Sequence, residues 1–252
     1  ISEHIDTNYR DYAIYVLEKR GIPNWYDSLT NVQRQILTNT PIQTTKTLSV
    51  VGKVVEGGYA HGNASLEGAI NKLTREFNTS RNLLVGEGFF GTQVQPSPAQ
   101  ARYTDVKLSK DVYDTIKEYS HINILNEDKH YDYLNMKYPI GLETSIMGIA
   151  IGYRSLILPR KKEDFISYLQ GKRKTVRPNF KGYSGKIQKV DNKWLLHSNV
   201  IKDETEYSIQ ITELPPTIKH TSFLKKMLLI KNSLQDVYKP IGLKVNISDS
   251  SS

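Results

Sequence analysis

The sequence predicts an α+β chain: a winged helix-turn-helix domain over residues 1–122, then a mixed α/β domain over residues 123–252. Three observations carry this. Four short helical stripes precede a Gly-rich, strand-like segment, LLVGEGFFGTQVQ, at 83–95. Short helices followed by such a hairpin are the pattern of a winged helix. Beyond residue 122 the pattern changes to apolar runs, alternating strands and a dense basic segment.

The elements follow in order. Ile5, Tyr9, Tyr12, Ala13, Val16 and Leu17 fall on one helical stripe, which Gly21 and Pro23 stop. A second helix opens near Asp27, with Leu29, Val32, Ile36 and Leu37 inward and Arg34 turned the other way. A third is expected from Lys46 to Val55, ending at Gly57-Gly58. A fourth spans HGNASLEGAINKLTREF, 61–77, with Asn63 as its cap. Leu66, Ala69, Ile70, Leu73 and Phe77 share one face, and Ala64, Gly68, Asn71 and Arg75 share the other. A solvated face normally carries long charged residues. This small face, ending in a cation, suits a helix lying close to another surface, either DNA or a neighbouring helix. Ser109 caps a further helix with Val112, Ile116 and Tyr119 inward.

In the second half, GIAIGYRSLILP (148–159) reads as apolar and strand-like, and 163–170 as helical. From Arg160 to Lys189 ten Lys/Arg face only Glu163 and Asp164, the densest basic segment of the chain. Strands near 183–190, 193–200 and 206–213 precede a helix near 220–232. Residues 248–252 read as a frayed end.

Composition narrows the chemistry. A chain of 252 residues can bury a sizeable core. The net charge of +8 favours an anionic partner, nucleic acid before membrane, because no long apolar run is present. With no cysteine, disulfides, thiolate metal sites and cysteine nucleophiles are excluded. No signal peptide is visible, and a cytoplasmic fragment is expected. The six histidines are scattered without an i,i+4 pair, so no metal site is expected in this chain. GEGFFG (86–91) matches G-x-G-x-x-G, but Thr92-Gln93-Val94-Gln95-Pro96 does not open a helix. A dinucleotide fingerprint needs that helix N-terminus, so the glycines serve a tight turn instead.

Two places hold candidate chemistry. His61 precedes the small-faced helix, whose N-terminus is a natural phosphate site. Arg102-Tyr103 follows Pro96 and Pro98 at a loop-to-strand junction. A phenol of pKa about 10 is a poor nucleophile without a nearby cation or base. Arg102 supplies a phosphate-binding cation one residue away. Strand neighbours point to opposite faces, so the two reach one phosphate only where the chain bends.

The ordered set DSLTNVQRQIL (27–37), VVGKVVEGGYAHGNASL (50–66), LLVGEGFFGTQ (83–93) and AQARYTDVKLS (99–109) resembles the breakage-reunion subunit of type IIA DNA topoisomerases. GIAIG (148–152), FKGYSGKI (180–187) and QITELP (210–215) extend the resemblance, closer to the eukaryotic and T-even-phage branches. It covers nearly the whole chain and makes the second half a tower domain.

The resemblance implies a double-strand break through a 5′-phosphotyrosyl link, made for the passage of a second duplex. It places the cleaving tyrosine on Tyr103, with Arg102 and His61 as catalytic partners. It places DNA contacts on Arg34 and Lys46 and an intercalating wedge on Ile149; the small-faced helix adds Asn63, Ser65 and Arg75 as candidate DNA contacts. It implies double-stranded DNA, a homodimer, Mg2+ from a partner's Toprim domain and ATP bound by another chain of the assembly. The departures are Asp27-Ser28-Leu29-Thr30-Asn31 in place of Asp-Gly-Leu-Lys-Pro, and Tyr59-Ala60 where His or Pro is frequent. Ala64 and Gly68 stand where the gyrase branch has drug-contacting Ser and acidic residues, implying poor sensitivity to quinolones. The alternative is a winged-helix DNA-binding or DNA-bending protein without chemistry.

Overall fold

The computed structural model describes residues 2–59, 61–127, 130–205 and 207–238. The expected frayed end at 248–252, Ala60 and the side chain of Ile5 lie outside the described residues. The chain forms two compact units, one of residues 1–90 and 98–181, the other of 91–97 and 182–252. The first unit thus runs past residue 122 without a break.

In the first unit, α1 (Ser2–Val16) continues into a π-helical turn, Leu17–Gly21. Then come α2 (Asn31–Asn39), β1 (Thr45–Lys46), α3 (Thr47–Glu56), α4 (Asn63–Thr74) and β2 (Leu84–Glu87). After a 3-10 turn, Ala101–Tyr103, follow β3 (Asp105–Leu108) and α5 (Lys110–Glu118). The three strands form one antiparallel sheet in the order β1-β3-β2. This is the expected winged helix-turn-helix, with β2 and β3 as the wing.

The core explains the stripes. Ile36 and Leu37 of α2, Val50, Val51 and Val54 of α3, and Leu66, Ile70 and Leu73 of α4 are buried together with Leu84 and Val106 of the wing. Leu134, Tyr138 and Ile140 join the same cluster. The α1 stripe behaves otherwise: Tyr9 and Tyr12 are exposed, and among its described residues Val16 alone is buried.

The glycines of GEGFFG have separate tasks. Gly88 has φ 108° and Gly91 φ 94°, the left-handed region that side chains avoid. Gly86 lies against Phe90 and Thr74, where an added Cβ would overlap the Phe90 ring. No helix follows at 92–96.

Two corrections concern caps. Gly62, not Asn63, is the N-cap of α4, and Asn63 is its first residue. Ser109 does sit at the N-cap of α5, but its buried hydroxyl makes no hydrogen bond, so it caps by backbone position alone.

The run at 148–159 is a hairpin rather than one strand: β4 (Ile146–Ala150) pairs with β5 (Tyr153–Ile157). Gly152, at φ 68°, makes the reversal that the apolar pattern hid. Helix α6 (Lys162–Leu169) follows. In the second unit β6 (Ile187–Val190) pairs with β7 (Lys193–Leu196), and β8 (Asn199–Asp203) with β9 (Ser208–Glu213). The strand expected over 193–200 is therefore split between two hairpins. Helix α7 (His220–Tyr238) ends the described chain.

Candidate active site and nucleic-acid interface

Tyr103 is the last residue of the 3-10 turn and is 69 % exposed. Its neighbours fix it from both sides. Ala101 is buried beneath it in the turn, and Thr104 is buried after it. The Thr104 and Thr47 hydroxyls are 2.8 Å apart, and the Thr47 N–H donates to the Thr104 carbonyl at 3.0 Å. Thr47 is the first residue of α3, so the helix N-terminus is bolted to the residue after the tyrosine. The bend that the prolines suggested is thus a 3-10 turn, and Arg102, inside it, is exposed beside Tyr103.

Lys46 lies on the neighbouring strand. It pairs in register with Asp105, and its Nζ donates to the Asp105 carboxylate at 2.9 Å. The ammonium is exposed and the carboxylate half-buried, a pair worth on the order of 1 kcal/mol, so a phosphate could compete for the ammonium.

His61 lies in the α3–α4 connection and is exposed. Arg20, from the π-helical turn, brings Nη2 to 2.9 Å from Nδ1 and 2.5 Å from Nε2. A neutral imidazole has one acceptor nitrogen, so one of these two approaches is the hydrogen bond. Partial burial and then the Arg20 charge push the His61 pKa below its ordinary value. The neutral imidazole is thus favoured, and Arg20, within reach of both ring nitrogens, supplies the charge beside it. Tyr59 meets the His61 ring edge-on at 5.2 Å, and its hydroxyl lies 3.4 Å from Ser65 Oγ.

Arg20 is the cation that sequence reasoning missed. It follows Lys19 in a Gly-terminated turn with nothing local to single it out, and the contact with His61, 41 residues away, is what marks it.

The open face of α4 matches expectation at its start. Asn63, Ala64 and Ser65 are exposed, and a Cβ added to Gly62 or Gly68 would meet nothing. Further along it closes. Asn71 is buried, and Arg75 donates through Nε to the Phe90 carbonyl at 2.8 Å. Arg75 braces the base of the wing rather than facing outward, because the helix ends there against the β2–β3 connection.

Arg34 is the main correction. It was expected to face away from the core, yet it is only 3 % exposed. Its Nε donates to Asp27 Oδ2 at 2.7 Å, and Nη2 to Asp27 Oδ1 at 3.1 Å and the Leu29 carbonyl at 3.0 Å. Asp27 is fully buried and also accepts from the Leu29 and Leu134 N–H groups. Helix α2 is enclosed on more than one side, since Gln33 and Gln35 are buried too. Periodicity marks the apolar face but does not show that a second face is covered. In this arrangement Arg34 spends its guanidinium on Asp27 and the Leu29 carbonyl, inside the fold.

Ile149 is 62 % exposed on β4, beside exposed Met147. The basic segment divides. In the first unit Arg160 bonds the Leu158 carbonyl, Lys162 covers the Tyr138 ring, Arg173 pairs with Asp164 and Lys181 with Glu76. Lys161, Lys172, Lys174 and Arg177 are exposed, as are Lys186 and Lys189 of the second unit. Among the described residues no group of three or more His, Cys, Asp or Glu can hold a metal ion. Among them, no helix is long and apolar enough to cross a membrane.

A winged helix with a tyrosine exposed at the end of a tight turn, beside cations, belongs to the class of DNA-handling folds. Comparison with solved structures agrees on the fold. The chain superposes on the crystal structure of the Plasmodium falciparum topoisomerase II DNA-binding, cleavage and re-ligation domain with a TM-score of 0.76. That match has 24 % identity and covers 88 % of this chain and 33 % of the other. The sequence model of the DNA gyrase/topoisomerase IV A-subunit family matches residues 20–247, and the chain belongs to that family. It is 28 % identical over 239 residues to the DNA topoisomerase medium subunit of Enterobacteria phage T4, covering 89 % of this chain and 54 % of the relative. It is 30 % identical over 179 residues to the DNA gyrase A-subunit of Clostridium acetobutylicum, covering 66 % of this chain and 22 % of the relative. The chain thus spans about half of the phage protein's length and about a fifth of the gyrase protein's.

Proposed function

We propose that this chain is the DNA-cleaving and rejoining part of an ATP-dependent type II topoisomerase, with Tyr103 as nucleophile. The observation that carries the reading is the rigid turn that exposes Tyr103 and Arg102 together, with Lys46 one strand away. The Tyr103 oxygen attacks a backbone phosphorus as the bond from phosphorus to the 3′ oxygen breaks. The phenol loses its proton to solvent, the departing 3′ oxygen takes one up, and the 5′ end stays on the tyrosine. Because the ester conserves the bond energy, rejoining needs no ATP.

Arg102, Arg20 and His61 stabilise charge on the phosphate. Lys46, Asn63 and Ser65 hold the duplex, the exposed lysines of 160–189 extend the grip, and Ile149 wedges between bases. In this division of labour residues 1–122 cleave DNA, and residues 123–252 form a tower that bends it. Two copies, as a homodimer, cut the two strands of one duplex. By the family likeness, Mg2+ is assigned to a partner's Toprim domain and ATP to another chain of the assembly. The host cytoplasm is the matching location for a phage-type enzyme.

The test mixes wild type or Tyr103→Phe with partner subunit, Mg2+ and supercoiled DNA, then stops the reaction with detergent. A covalent protein–DNA adduct in wild type alone is expected. Equal adducts in both would remove Tyr103 as nucleophile, and none in either would favour a non-enzymatic DNA-binding protein.

A further inference from the structure

The hairpin that carries Ile149 touches the segment that carries Arg20, backbone against backbone. Gly21 closes the π-helical turn one residue after Arg20. A Cβ added to Gly148 of β4 would overlap the Gly21 carbonyl oxygen. A Cβ added to Gly21 would lie 2.9 Å from Ala150 Cβ. Ser155, the register partner of Gly148 on β5, donates its hydroxyl to the same Gly21 carbonyl at 3.2 Å. Glycine at both positions is what allows the approach.

The hairpin therefore has two faces. Ile146 and Gly148 turn inward, while Met147 and Ile149 are exposed. The inner face grips Gly21, and the outer face is open, with Met147, Leu156 and Ile149 apolar and Arg154 directly across from Ile149. Close-packed backbone has little give, so displacement of one side moves the other. The π-helical turn is a rare element that is frequent at functional sites. Arg20, its fourth residue, reaches from there to His61.

We propose that the Gly21–Gly148 seam makes the β4–β5 hairpin a positioning element for the Arg20–His61 pair, so that seating the apolar tip in DNA sets the cation beside the phosphate. This rests on the functional reading above. Cleavage is then conditional on bending: a duplex that does not accept Ile149 leaves Arg20 out of place. Gly21, Gly148 and Ser155 are positioning residues, acting through Arg20.

The experiment compares Gly148→Ala, Ser155→Ala and Ile149→Ala in the full chain. The first readout is the NMR titration of the His61 imidazole, which needs no DNA. The groups facing that ring are Arg20 and Tyr59. Gly148→Ala is expected to move the His61 titration up toward its ordinary value of about 6.5, because Arg20 is displaced. Tyr103–DNA adducts, measured with partner subunit and Mg2+, are expected to fall about 10-fold or more while DNA affinity is retained. Ser155→Ala is expected to act in the same direction by about 2- to 10-fold, the loss of one hydrogen bond. Ile149→Ala is expected to keep the wild-type His61 titration while losing both the bend, measured by end-to-end FRET, and the adduct.

A folded Gly148→Ala with wild-type His61 titration overturns the seam. If that variant does not fold, an unchanged His61 titration in folded Ser155→Ala overturns it. Loss of the bend in Ile149→Ala without loss of adduct overturns the coupling. Adducts persisting in Tyr103→Phe would instead defeat the functional reading and leave the titration result standing.

Discussion

Arg34 and Arg20 meet opposite fates in neighbouring parts of the first unit. Arg34 is sealed in α2 against a fully buried Asp27, bonded to the protein itself. Arg20 stands exposed and spends its hydrogen bonding on a histidine ring. The α2 region satisfies its charges internally, so it has none left for a ligand. The segments that carry Tyr103 and His61 instead leave Arg102, Arg20 and His61 exposed, and the Lys46–Asp105 pair beside the tyrosine turn is weak enough to exchange. A cation's type says little about its role. What surrounds it decides between scaffold and site.

The sharpest way to break this contrast is to remove one group from each region. Tyr103→Phe is expected to abolish adduct formation, a loss of about 10³-fold or more, since no other group replaces the nucleophile. Its melting temperature should match wild type, because the exposed hydroxyl has no structural task. Arg34→Ala is expected to do the reverse. Leaving Asp27 buried and unpaired should cost about 3–5 kcal/mol, read as a lower urea midpoint. A folded, stable Arg34→Ala with specifically weakened DNA binding would return Arg34 to the interface.

These two outcomes also bear on what could be read from the chain alone. The winged helix was legible because its periodicities and glycines are local. Leu66, Ile70 and Leu73 recur at helical spacing, and Gly88 and Gly91 hold the positive φ of a turn. Tyr103 stands out by its neighbours and by resemblance. What escaped was non-local. Arg34 reads as outward until Leu134 and Tyr131, about a hundred residues on, are seen to cover α2. Arg20 has no local mark, and its meaning comes from His61. Gly152 was legible as a glycine but not as the reversal of a hairpin, because both flanking runs are apolar.

A smaller effect tests the open region. Lys46→Ala is expected to weaken DNA binding uniformly across sequences and to lower the salt slope by about 1. Unchanged affinity across a salt titration would show that Lys46 serves only its Asp105 pair. For His61, Arg20→Ala removes the repelling charge, so the imidazole should titrate higher, checked by NMR.

The smallest effect belongs to the scaffold side. Ser28 follows the buried Asp27 with φ 54°, a left-handed conformation in a position where the gyrase-type pattern has glycine. For a residue with a Cβ this conformation costs about 1–2 kcal/mol. Glycine would relieve it, but glycine gains unfolded-state freedom that offsets about 0.4–1 kcal/mol. Ser28→Gly is therefore expected to stabilise the chain by about 0.5–1 kcal/mol, a rise in melting temperature of about 1–4 °C for a chain of this size. Adduct formation should not change, since Ser28 supports the Asp27–Arg34 pair and not the Tyr103 face. A fall in stability would mean that the serine makes the turn by a route other than tolerated strain, and the turn before α2 would need a different account.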